Sequence, residues 1–386
     1  MRLTDLQTPA LILDRHRLVS NINAMTNLIH ARGIQLRPHL KTCKSIDVAR
    51  LALEGNFGGI TVATLNEAEY FAGHGIRDIL YGVCVTADKL GWISDLQSRG
   101  VRVTVITDSL TVAAIIADHT RESGMVLKVM IEVDCGEHRT GVSPGDPAFL
   151  EIARCLDEAS HLELAGVFTH AGHSYRCRTK LEMQATAEEE RLTAVNAADS
   201  LRAHGYPCEN VSVGSTPTAL HATSVEGVTE VRAGVYMFND LFQVELRSCD
   251  IDDIAVSVLA TVISHDTARN RLLIDAGGLA LSKDRSTAAT EHDAGFGRLV
   301  DITGKHLIGD LSVTDTHQEH GEITSVNPLP FDRLHIGSRV RVLPNHACMT
   351  SAMYDRYQVV DGYRDSITAV WPRTNGWHAP EKHANE

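Results

Sequence analysis

Residues 101–133 read VRVTVITDSLTVAAIIADHTRESGMVLKVMIEV, and this stretch carries the pattern that decides the fold. Segments 101–107 and 126–133 are short and rich in β-branched and apolar residues, as expected for strands buried on both faces. Segment 108–122 between them has the amphipathic spacing of a helix. A strand, a helix and a second strand in this order predict a parallel strand–helix–strand unit.

The same alternation extends through the first two-thirds of the chain. Further buried strands are predicted at 33–37, 58–63, 78–83, 162–169, 210–213 and 230–236, and further amphipathic helices at 45–54, 65–73, 147–158 and 181–204. Eight strands with intervening helices predict an α/β fold with a TIM-like (β/α)8 barrel of about 240 residues. An open doubly wound sheet is the alternative, and the absence of its GxGxxG fingerprint weakens it.

The pattern changes after about residue 249. Segments with the character of strands, separated by turns and loops, follow at 255–264, 271–275, 337–343, 357–360 and 367–371. We therefore predict two domains, an α/β barrel at 1–249 and a C-terminal, mostly β domain at 250–386. The first few residues of the chain can belong to the second domain.

The composition argues against several classes of function. The 386 residues include 36 Lys and Arg against 49 Asp and Glu, and this formal net charge of −13 argues against nonspecific nucleic-acid binding. No apolar run reaches the roughly 18 residues of a membrane-spanning helix, and the N-terminus lacks the pattern of a signal peptide. Eight scattered cysteines without a CxxC pair predict reduced thiols. We therefore expect a cytoplasmic protein without a membrane or nucleic-acid partner.

The first candidate for chemistry is LRPHLKTCK at 36–44, which follows the first predicted barrel strand. Active sites of such barrels are built on the face where the strands end. Lys41 could lie in the barrel mouth, where desolvation would favour its neutral, nucleophilic form. A basic surface loop is the alternative, and the spacing alone favours it, because lysines are mostly solvated.

Two glycine-containing loops are candidates for binding phosphate. VGSTPT at 213–218 follows the seventh strand, and EVRAGVY at 230–236 ends the eighth. The loops after strands seven and eight of a barrel commonly bind phosphate through backbone N–H groups and hydroxyls. A pair of ordinary glycine turns is the alternative. Arg139, after the fifth strand, could pair with an anionic oxygen or form a structural bridge with a nearby carboxylate.

A candidate metal motif, LPNHACMT at 343–350, follows a predicted strand of the second domain. Residues two apart in a strand point to the same side, so His346 and Cys348 could share one ion. An imidazole and a thiolate favour zinc, and water or substrate would complete the coordination of the ion. A buried histidine beside an inert cysteine is the alternative.

These motifs, RPHLKT, GSTPT, RAGVY and PNHAC, occur together with THAG at 169–172 and QEHG at 318–321. In this order they resemble fold-type III pyridoxal phosphate (PLP) enzymes, and within them the D-serine dehydratase and D-threonine aldolase group. The resemblance runs from residue 8 to residue 372 and is stronger for the dehydratase branch. It implies an alanine racemase-like barrel followed by a β domain, and a homodimer. It also favours the functional interpretation of Lys41 and of the metal motif.

The resemblance implies roles for individual residues. Lys41 matches the Schiff-base lysine of the family, and Arg139 matches the arginine near the phenolic oxygen of the cofactor. His170 and Arg232 match the histidine and arginine beside the pyridine ring. The residues that match the phosphate-binding loops are Gly214, Ser215, Thr216, Gly234, Val235 and Tyr236. The ligands of a zinc ion, or of another divalent metal such as Mn2+, are matched by His346 and Cys348.

The implied activity is removal of water and ammonia from a D-β-hydroxy amino acid, either D-threo-3-hydroxyaspartate or D-serine, to give an oxo acid. The alternative is retro-aldol cleavage, as by a D-threonine or D-3-hydroxyaspartate aldolase. The aldolases have Asp at the position of Cys348, and that difference favours a dehydratase. The HxC motif argues against a metal-free racemase, and the β domain argues against a non-enzymatic PLP-binding protein.

Overall fold

The computed structural model describes residues 1–378. By their contacts these residues form two compact units, one of Met1–Ala24 with Val235–Asn375, the other of Met25–Gly234 with 376–378. A short 3-10 helix at Leu3–Asp5 is followed by strand β1 (Ala10–Asp14) and helix α1 (Arg15–Ala31). The division between the units falls inside α1. The domain boundary near residue 249 remains a prediction.

The unit that starts at Met25 is built around an eight-stranded parallel sheet. Its strands are β2 (Gln35–Pro38), β3 (Ile60–Val62), β4 (Asp78–Cys84), β5 (Arg102–Thr107), β6 (Leu127–Glu132), β7 (Leu162–Phe168), β8 (Asn210–Val213) and β9 (Glu230–Ala233). Its helices are α2 (Ile46–Leu53), α3 (Leu65–Gly73), α4 (Leu90–Ser98), α5 (Leu110–Ser123), α6 (Pro147–Glu158), α7 (Lys180–Ala203) and α8 (Thr216–His221).

The parallel sheet is a nearly closed barrel. Its strands pair in the order β2-β9-β8-β7-β6-β5-β4-β3, and a single parallel bridge between His39 and Thr61 spans the remaining gap. Neighbouring strands contribute an apolar cluster made of Leu80, Ile106, Met130, Ala165 and Phe168. The predicted (β/α)8 barrel is confirmed, so the carboxyl ends of all eight strands meet on one face.

Local sequence signals explain where two of the outer helices begin. Asp146 caps α6 by accepting a hydrogen bond from the Ala148 N–H, and Pro147 occupies the first helical position, where no backbone N–H is needed. Thr179 and Glu182 form a capping box at the start of α7. Helix α4 has no side-chain cap and is absent from the sequence prediction.

The other unit is mostly β, as predicted. Besides β1, its strands are β10 (Val256–Asp266), β11 (Arg271–Ile274), β12 (Arg298–Val300), β13 (Leu307–Ser312), β14 (Asp315–Thr316), β15 (Gly321–Thr324), β16 (Arg339–Leu343), β17 (Arg356–Val360) and β18 (Ile367–Pro372). Its short helices are α9 (Leu241–Glu245), α10 (Gly278–Leu281) and α11 (Ala347–Ser351). The main sheet has the order β13-β12-β16-β10-β1-β17-β18, in which β1 pairs antiparallel with β10 and parallel with β17.

Two further expectations concern the whole described range. Among residues 1–378 no helix is both long enough and apolar enough to cross a bilayer. All eight cysteines lie in that range, and none of them forms a disulfide. The expectation of reduced thiols therefore agrees with the structure.

Candidate active site and metal motif

The segment after β2 holds Lys41 at the end of the barrel where the strands terminate. Leu40 and Thr42 on either side are fully buried, and the Leu40 N–H donates to the Thr61 carbonyl oxygen at 2.9 Å. The side chain of Lys41 itself is exposed. Its positive charge reaches His170, where it disfavours protonation of the imidazole. Buried neighbours thus hold the backbone at Lys41, while its amine is exposed and its charge reaches the half-buried His170.

Arg232 on β9 is a buried cation inside the barrel. Its Nη1 donates to Ser212 Oγ at 2.6 Å and its Nη2 to the Thr169 carbonyl oxygen at 2.5 Å. The guanidinium carbon lies 3.5 Å from the centroid of the Phe168 ring. Burial lowers the pKa of Arg232 to about 10, with Glu230 opposing that effect. Arg232 therefore keeps its charge at neutral pH.

His170 follows β7 and is held in one tautomer. Its Nδ1 lies 2.7 Å from the Gly214 carbonyl oxygen. A carbonyl oxygen only accepts, so Nδ1 carries the proton and Nε2 keeps its lone pair. Burial, helped by the charge of Lys41, lowers the pKa of His170 to about 3. The imidazole is therefore neutral throughout the physiological pH range.

The loop after β8 requires glycine at its first position. Gly214 has a φ of +136°, and a Cβ atom there would lie 2.2 Å from the Arg232 carbonyl oxygen. Ser215 is the N-cap of α8 and accepts a hydrogen bond from the Thr218 N–H at 3.2 Å. Thr216, the first residue of the helix, is buried. Backbone N–H groups and hydroxyls thus gather at the end of β8.

The loop after β9 makes a second close approach. A Cβ atom at Gly234 would lie 2.6 Å from the carbonyl oxygen of His39, which follows β2. Val235 and Tyr236 come next along the chain and are buried at the start of a turn of 3-10 helix. The two loops selected from the sequence therefore do follow neighbouring strands, β8 and β9, of the barrel.

Arg139 lies on the loop after β6. Its Nη1 is 3.5 Å from Glu137 Oε1, and slightly more than half of its side-chain surface is exposed. Its charge also reaches His170. The ion pair with a nearby carboxylate, one of the two roles considered for Arg139 from the sequence, is thus present. The guanidinium also retains exposed donors that could bind an anionic oxygen.

A cluster of ligand-type side chains lies beside the loop after β6. Ligand atoms of Cys84, Asp108 and Glu132 lie within 4.8 Å of one another, at the ends of three neighbouring strands. Burial, and then the two carboxylates, raise the pKa of the Cys84 thiol far above its usual range, so the thiol donates to Glu132 at 2.9 Å. The Thr140 hydroxyl donates to Glu132 and the Gly141 N–H to Asp108. Sequence reasoning missed this cluster because its members come from separate strands.

The candidate metal motif lies at the start of a helix. Strand β16 ends at Leu343, His346 is the N-cap of α11, and Cys348 is the second residue of that helix. The expectation that strand alternation aligns the two side chains is therefore wrong, since extended pairing stops before His346. The side chains meet nonetheless, through a hydrogen bond between His346 and Cys348.

A carboxylate lies behind His346. The His346 Nδ1 is 2.7 Å from Asp284 Oδ2, and the Ser286 hydroxyl donates to Asp284 Oδ1 at 2.5 Å. This contact occupies Nδ1 and leaves Nε2 for a metal, as in carboxylate–histidine–zinc sites. Burial opposes a charge on His346, but hydrogen bonds with Asp284 and Cys348 outweigh it and raise the pKa of His346 to about 11. The motif therefore stabilises positive charge.

Two buried polar side chains fix the backbone of the metal motif. Asn345 donates to the Thr287 hydroxyl and to the Gly295 carbonyl oxygen, each at 2.7 Å. Asp240 accepts the N–H of Ala347, between the two candidate ligands, at 2.8 Å. Sequence reasoning missed Asp240 and Asp284, which lie far from the motif along the chain.

The donor groups of each unit fit one of the two groups implied by the resemblance. The barrel unit offers an exposed lysine amine, backbone N–H groups and hydroxyls in a glycine loop, a neutral imidazole and a buried guanidinium. These suit the aldehyde, phosphate and ring of PLP. The β unit offers an imidazole and a thiol with a carboxylate behind the imidazole, which suit zinc.

Comparisons with known proteins identify the relatives of the chain. The family described as "Alanine racemase, N-terminal domain" matches residues 13–241, and the one described as "Putative serine dehydratase domain" matches residues 255–360. The chain is 43% identical to D-threo-3-hydroxyaspartate dehydratase of Delftia sp. (strain HT23), covering 97% of this chain and 99% of that one. It is 31% identical to D-serine dehydratase of Dictyostelium discoideum, with coverages of 96% and 97%. It is 28% identical to 3-hydroxy-D-aspartate aldolase of Paracoccus denitrificans (strain Pd 1222), with coverages of 96% and 92%.

Solved structures give the same result. A cysteine-to-alanine variant of D-threo-3-hydroxyaspartate dehydratase in the metal-free form has a TM-score of 0.94 at 42% identity, covering 98% of this chain and 100% of that one. A histidine-to-alanine variant of that dehydratase, substituted two positions earlier, has a TM-score of 0.94 at 42% identity, with coverages of 98% and 97%. An alanine racemase from Clostridium difficile has a TM-score of 0.68 at 16% identity, with coverages of 95% and 99%, and shares the fold.

The fold and the donor groups together define the class of fold-type III PLP enzymes, whose barrel is alanine racemase-like. More narrowly, this chain belongs to the D-serine dehydratase and D-threonine aldolase family.

Proposed function

We propose that this protein is a PLP- and zinc-dependent lyase that converts a D-β-hydroxy amino acid, D-threo-3-hydroxyaspartate or D-serine, to an oxo acid and ammonia. The observation that carries the proposal is His346, held by Asp284 and hydrogen-bonded to Cys348, because this donor set suits a Lewis-acidic ion. The 43% identity to a dehydratase supports it. The related cysteine variant described as metal-free has its substitution two positions after a substituted histidine, which is the spacing of His346 and Cys348.

Lys41 would bind PLP covalently, and the loops after β8 and β9 would hold its phosphate. His170 and Arg232 would contact the ring, and Arg139 the phenolic oxygen. The phosphate-binding residues in this proposal are Gly214, Ser215, Thr216, Gly234, Val235 and Tyr236. When bound, PLP delocalises the electrons left at the Cα atom of an attached amino acid and so makes its α-proton acidic.

The environments of the barrel residues support one allocation of the proton transfers. Lys41 Nζ is the group that removes the α-proton, because the amine is exposed while its backbone is fixed by buried neighbours. His170 does not supply a proton, since its pKa is about 3 and its Nδ1–H is bonded to Gly214. Arg232 would face the ring nitrogen and keep its own proton, because its pKa is about 10.

His346 and Cys348 would hold Zn2+, or another divalent ion such as Mn2+, with water or substrate in the remaining positions. The bound ion would supply Lewis-acid stabilisation of the β-hydroxyl as it leaves. The α-proton and the hydroxyl depart as water, and one water is consumed when ammonia is released. D-Serine then gives pyruvate and ammonia, and D-threo-3-hydroxyaspartate gives oxaloacetate and ammonia.

We also propose that the enzyme is a cytoplasmic homodimer that binds neither nucleic acid nor membrane. The reduced cysteines support a cytoplasmic location. The net charge of −13 argues against binding to nucleic acid. The dimer rests on the family resemblance. Light scattering after size exclusion tests it, and a mass of one chain at micromolar concentration would contradict it.

A product assay tests the proposed reaction. Purified protein with PLP and zinc is incubated with D-serine, D-threo-3-hydroxyaspartate, D-threonine and the corresponding L-isomers. We expect equal amounts of ammonia and oxo acid from a D-substrate. We expect this activity to be lost when the metal is chelated and to return when zinc is added. Equal amounts of glycine and an aldehyde from D-threonine, without ammonia, would instead identify an aldolase.

The variant Lys41→Ala distinguishes a loss of PLP binding from a loss of protein stability. We expect it to lose the visible absorbance of bound PLP while the thermal unfolding midpoint stays near that of the parent protein. The matched control is Lys44→Ala, since Lys44 is three residues away and pairs with Glu67 at 3.1 Å. An unchanged visible spectrum in Lys41→Ala would contradict the assignment of Lys41.

A further inference from the structure

The outer helix α7 carries one glutamate that points into the barrel unit. Glu190 is only 2% exposed, while its neighbour Glu189 is exposed and Glu188 pairs with Arg191 on the surface. It lies in the buried stripe of α7, in which the other members are mostly small or apolar. A buried carboxyl group costs free energy unless it is hydrogen-bonded, so its partners indicate why it is there.

The partners of Glu190 are backbone N–H groups from two different loops. Its Oε1 accepts the Ala171 N–H at 2.9 Å and the Gly214 N–H at 3.0 Å. Ala171 lies after β7 and Gly214 after β8, so a single oxygen atom joins the two loops. The Thr218 hydroxyl bonds to the same carboxyl group. Burial raises the pKa of Glu190, but Oε1 accepts both amides in either protonation state.

Both amides are adjacent to groups that the proposed function uses. Ala171 directly follows His170, and the Gly214 carbonyl accepts the Nδ1–H of that imidazole at 2.7 Å. Gly214 also precedes Ser215, the N-cap of α8. Glu190 therefore holds the N–H of Gly214, while His170 binds the carbonyl oxygen of the same residue. Loss of the carboxyl group would leave two buried N–H groups without an acceptor.

We propose that Glu190 is a positioning residue for the cofactor: by holding the Ala171 and Gly214 amides on one oxygen, it fixes the tautomer of His170 and the phosphate-binding loop together. This inference rests on the proposed binding of PLP in the barrel. Glu190 would act without contacting the cofactor, through His170 and the loop after β8.

The substitutions Glu190→Gln and Glu190→Ala test the inference. Gln keeps an acceptor oxygen at the same place, whereas Ala removes it. We expect Glu190→Gln to bind PLP with nearly the parent dissociation constant, and Glu190→Ala to bind it about 10- to 100-fold more weakly, the effect of a lost buried hydrogen-bond acceptor. PLP binding is measured by titration of the apoprotein, followed by visible absorbance.

The matched control is Thr186→Ala. Thr186 lies one turn earlier on the buried stripe of α7 and bonds to Cys177, not to either loop amide. We expect parent-like PLP affinity in this variant. Equal weakening by Thr186→Ala and Glu190→Ala would show a general effect of the helix and would overturn the inference.

The tautomer of His170 is a second readout, which needs no cofactor. In the apoprotein, 15N NMR distinguishes protonated Nδ1 from protonated Nε2, and the His170 signals are assigned by their absence in His170→Gln. We expect the parent protein and Glu190→Gln to show a single Nδ1–H tautomer, and Glu190→Ala to show a mixture. Parent-like His170 signals together with parent-like PLP affinity in Glu190→Ala would overturn the inference.

If Glu190→Ala does not fold, Glu190→Asp replaces it, because the shorter side chain keeps the charge but withdraws the acceptor oxygen. We then expect weaker PLP binding and mixed tautomers, and parent-like values for both would overturn the inference. If the parent protein does not bind PLP, the proposed function fails, while the NMR comparison still decides whether Glu190 fixes His170.

Discussion

The Nδ1 atom of His346 lies 2.7 Å from Oδ2 of Asp284, so the imidazole is oriented before any metal binds. The Asp284 carboxylate is itself held by the Ser286 hydroxyl. Such a carboxylate fixes the ring orientation and increases the basicity of the nitrogen that faces the metal. The contact explains how a site with only two candidate protein ligands could retain an ion.

Replacement of Asp284 by Asn should weaken metal binding. The amide cannot supply the negative charge that supports His346, and loss of such an outer partner lowers metal affinity by about 10- to 100-fold. Competition with a chromophoric zinc chelator measures the change. The control is Asp310→Asn, a fully exposed carboxylate of the same unit that pairs with Arg298 at 3.0 Å. Equal zinc affinity in the two variants would contradict the role of Asp284.

Metal analysis should distinguish the two thiol-containing clusters. We expect Cys348→Ser to lose the bound ion and the lyase activity, because a neutral hydroxyl is a poor replacement for a thiolate ligand. The control is Cys84→Ser, which alters the cluster with Asp108 and Glu132. Elemental analysis after dialysis measures the amount of metal bound per chain in each variant. Loss of metal in Cys84→Ser but not in Cys348→Ser would contradict the proposed site and would assign the metal to the cluster in the barrel unit.

Replacement of Gly214 by Ala should destabilise the barrel unit and abolish PLP binding. The new Cβ atom would meet the Arg232 carbonyl oxygen at 2.2 Å, and the φ of +136° is unfavourable for alanine. We expect a loss of at least about 3 kcal/mol in the free energy of unfolding, measured with urea. Gly145→Ala is the control, since a Cβ atom added there would have no neighbour within 4 Å, and it should change stability by less than about 0.5 kcal/mol.

Protonation of His170 should contribute to acid destabilisation. Its pKa is about 3 in the folded protein against an ordinary value of 6.5, so between these values the unfolded chain binds the extra proton. The contribution of neutral His170 to the free energy of unfolding is therefore complete above pH 6.5. It falls as the pH drops towards 3, by up to about 1.4 kcal/mol per pH unit. Urea unfolding from pH 4 to 7 should show a shallower slope for His170→Gln. The exposed control His204→Gln should keep the parent slope.

The barrel could be predicted from the sequence because each of its elements carries a local signal. The strand at 101–107 is rich in β-branched residues and mostly buried, and the helix at 147–158 begins with an Asp-Pro cap. Both agree with the structure to within a residue or so at each end. In the β unit, β13 (Leu307–Ser312) is largely exposed, so it lacks an apolar run and was missed.

The sequence also selected Lys41, the glycine loops and the pair of His346 and Cys348, and their proposed roles remain predictions. The physical reason inferred for the proximity of His346 and Cys348 was wrong, since strand alternation does not bring those side chains together. A bend at 345–346 and the start of α11 do so, and neither changes the apolar periodicity from which the strand was inferred.

By itself the sequence determined the order of strands and helices, and hence a barrel followed by a β unit, because apolar periodicity and caps act between near neighbours along the chain. Only the tertiary structure decided which carboxyl groups are buried and what they hold. Glu190 stands in the run EEER at 188–191, and the residue types of this run do not separate it from its solvated neighbours. Its partners are amides 19 and 24 residues away, and Asp284 is 62 residues from His346. Burial and hydrogen bonding between distant segments exist only once the chain has folded.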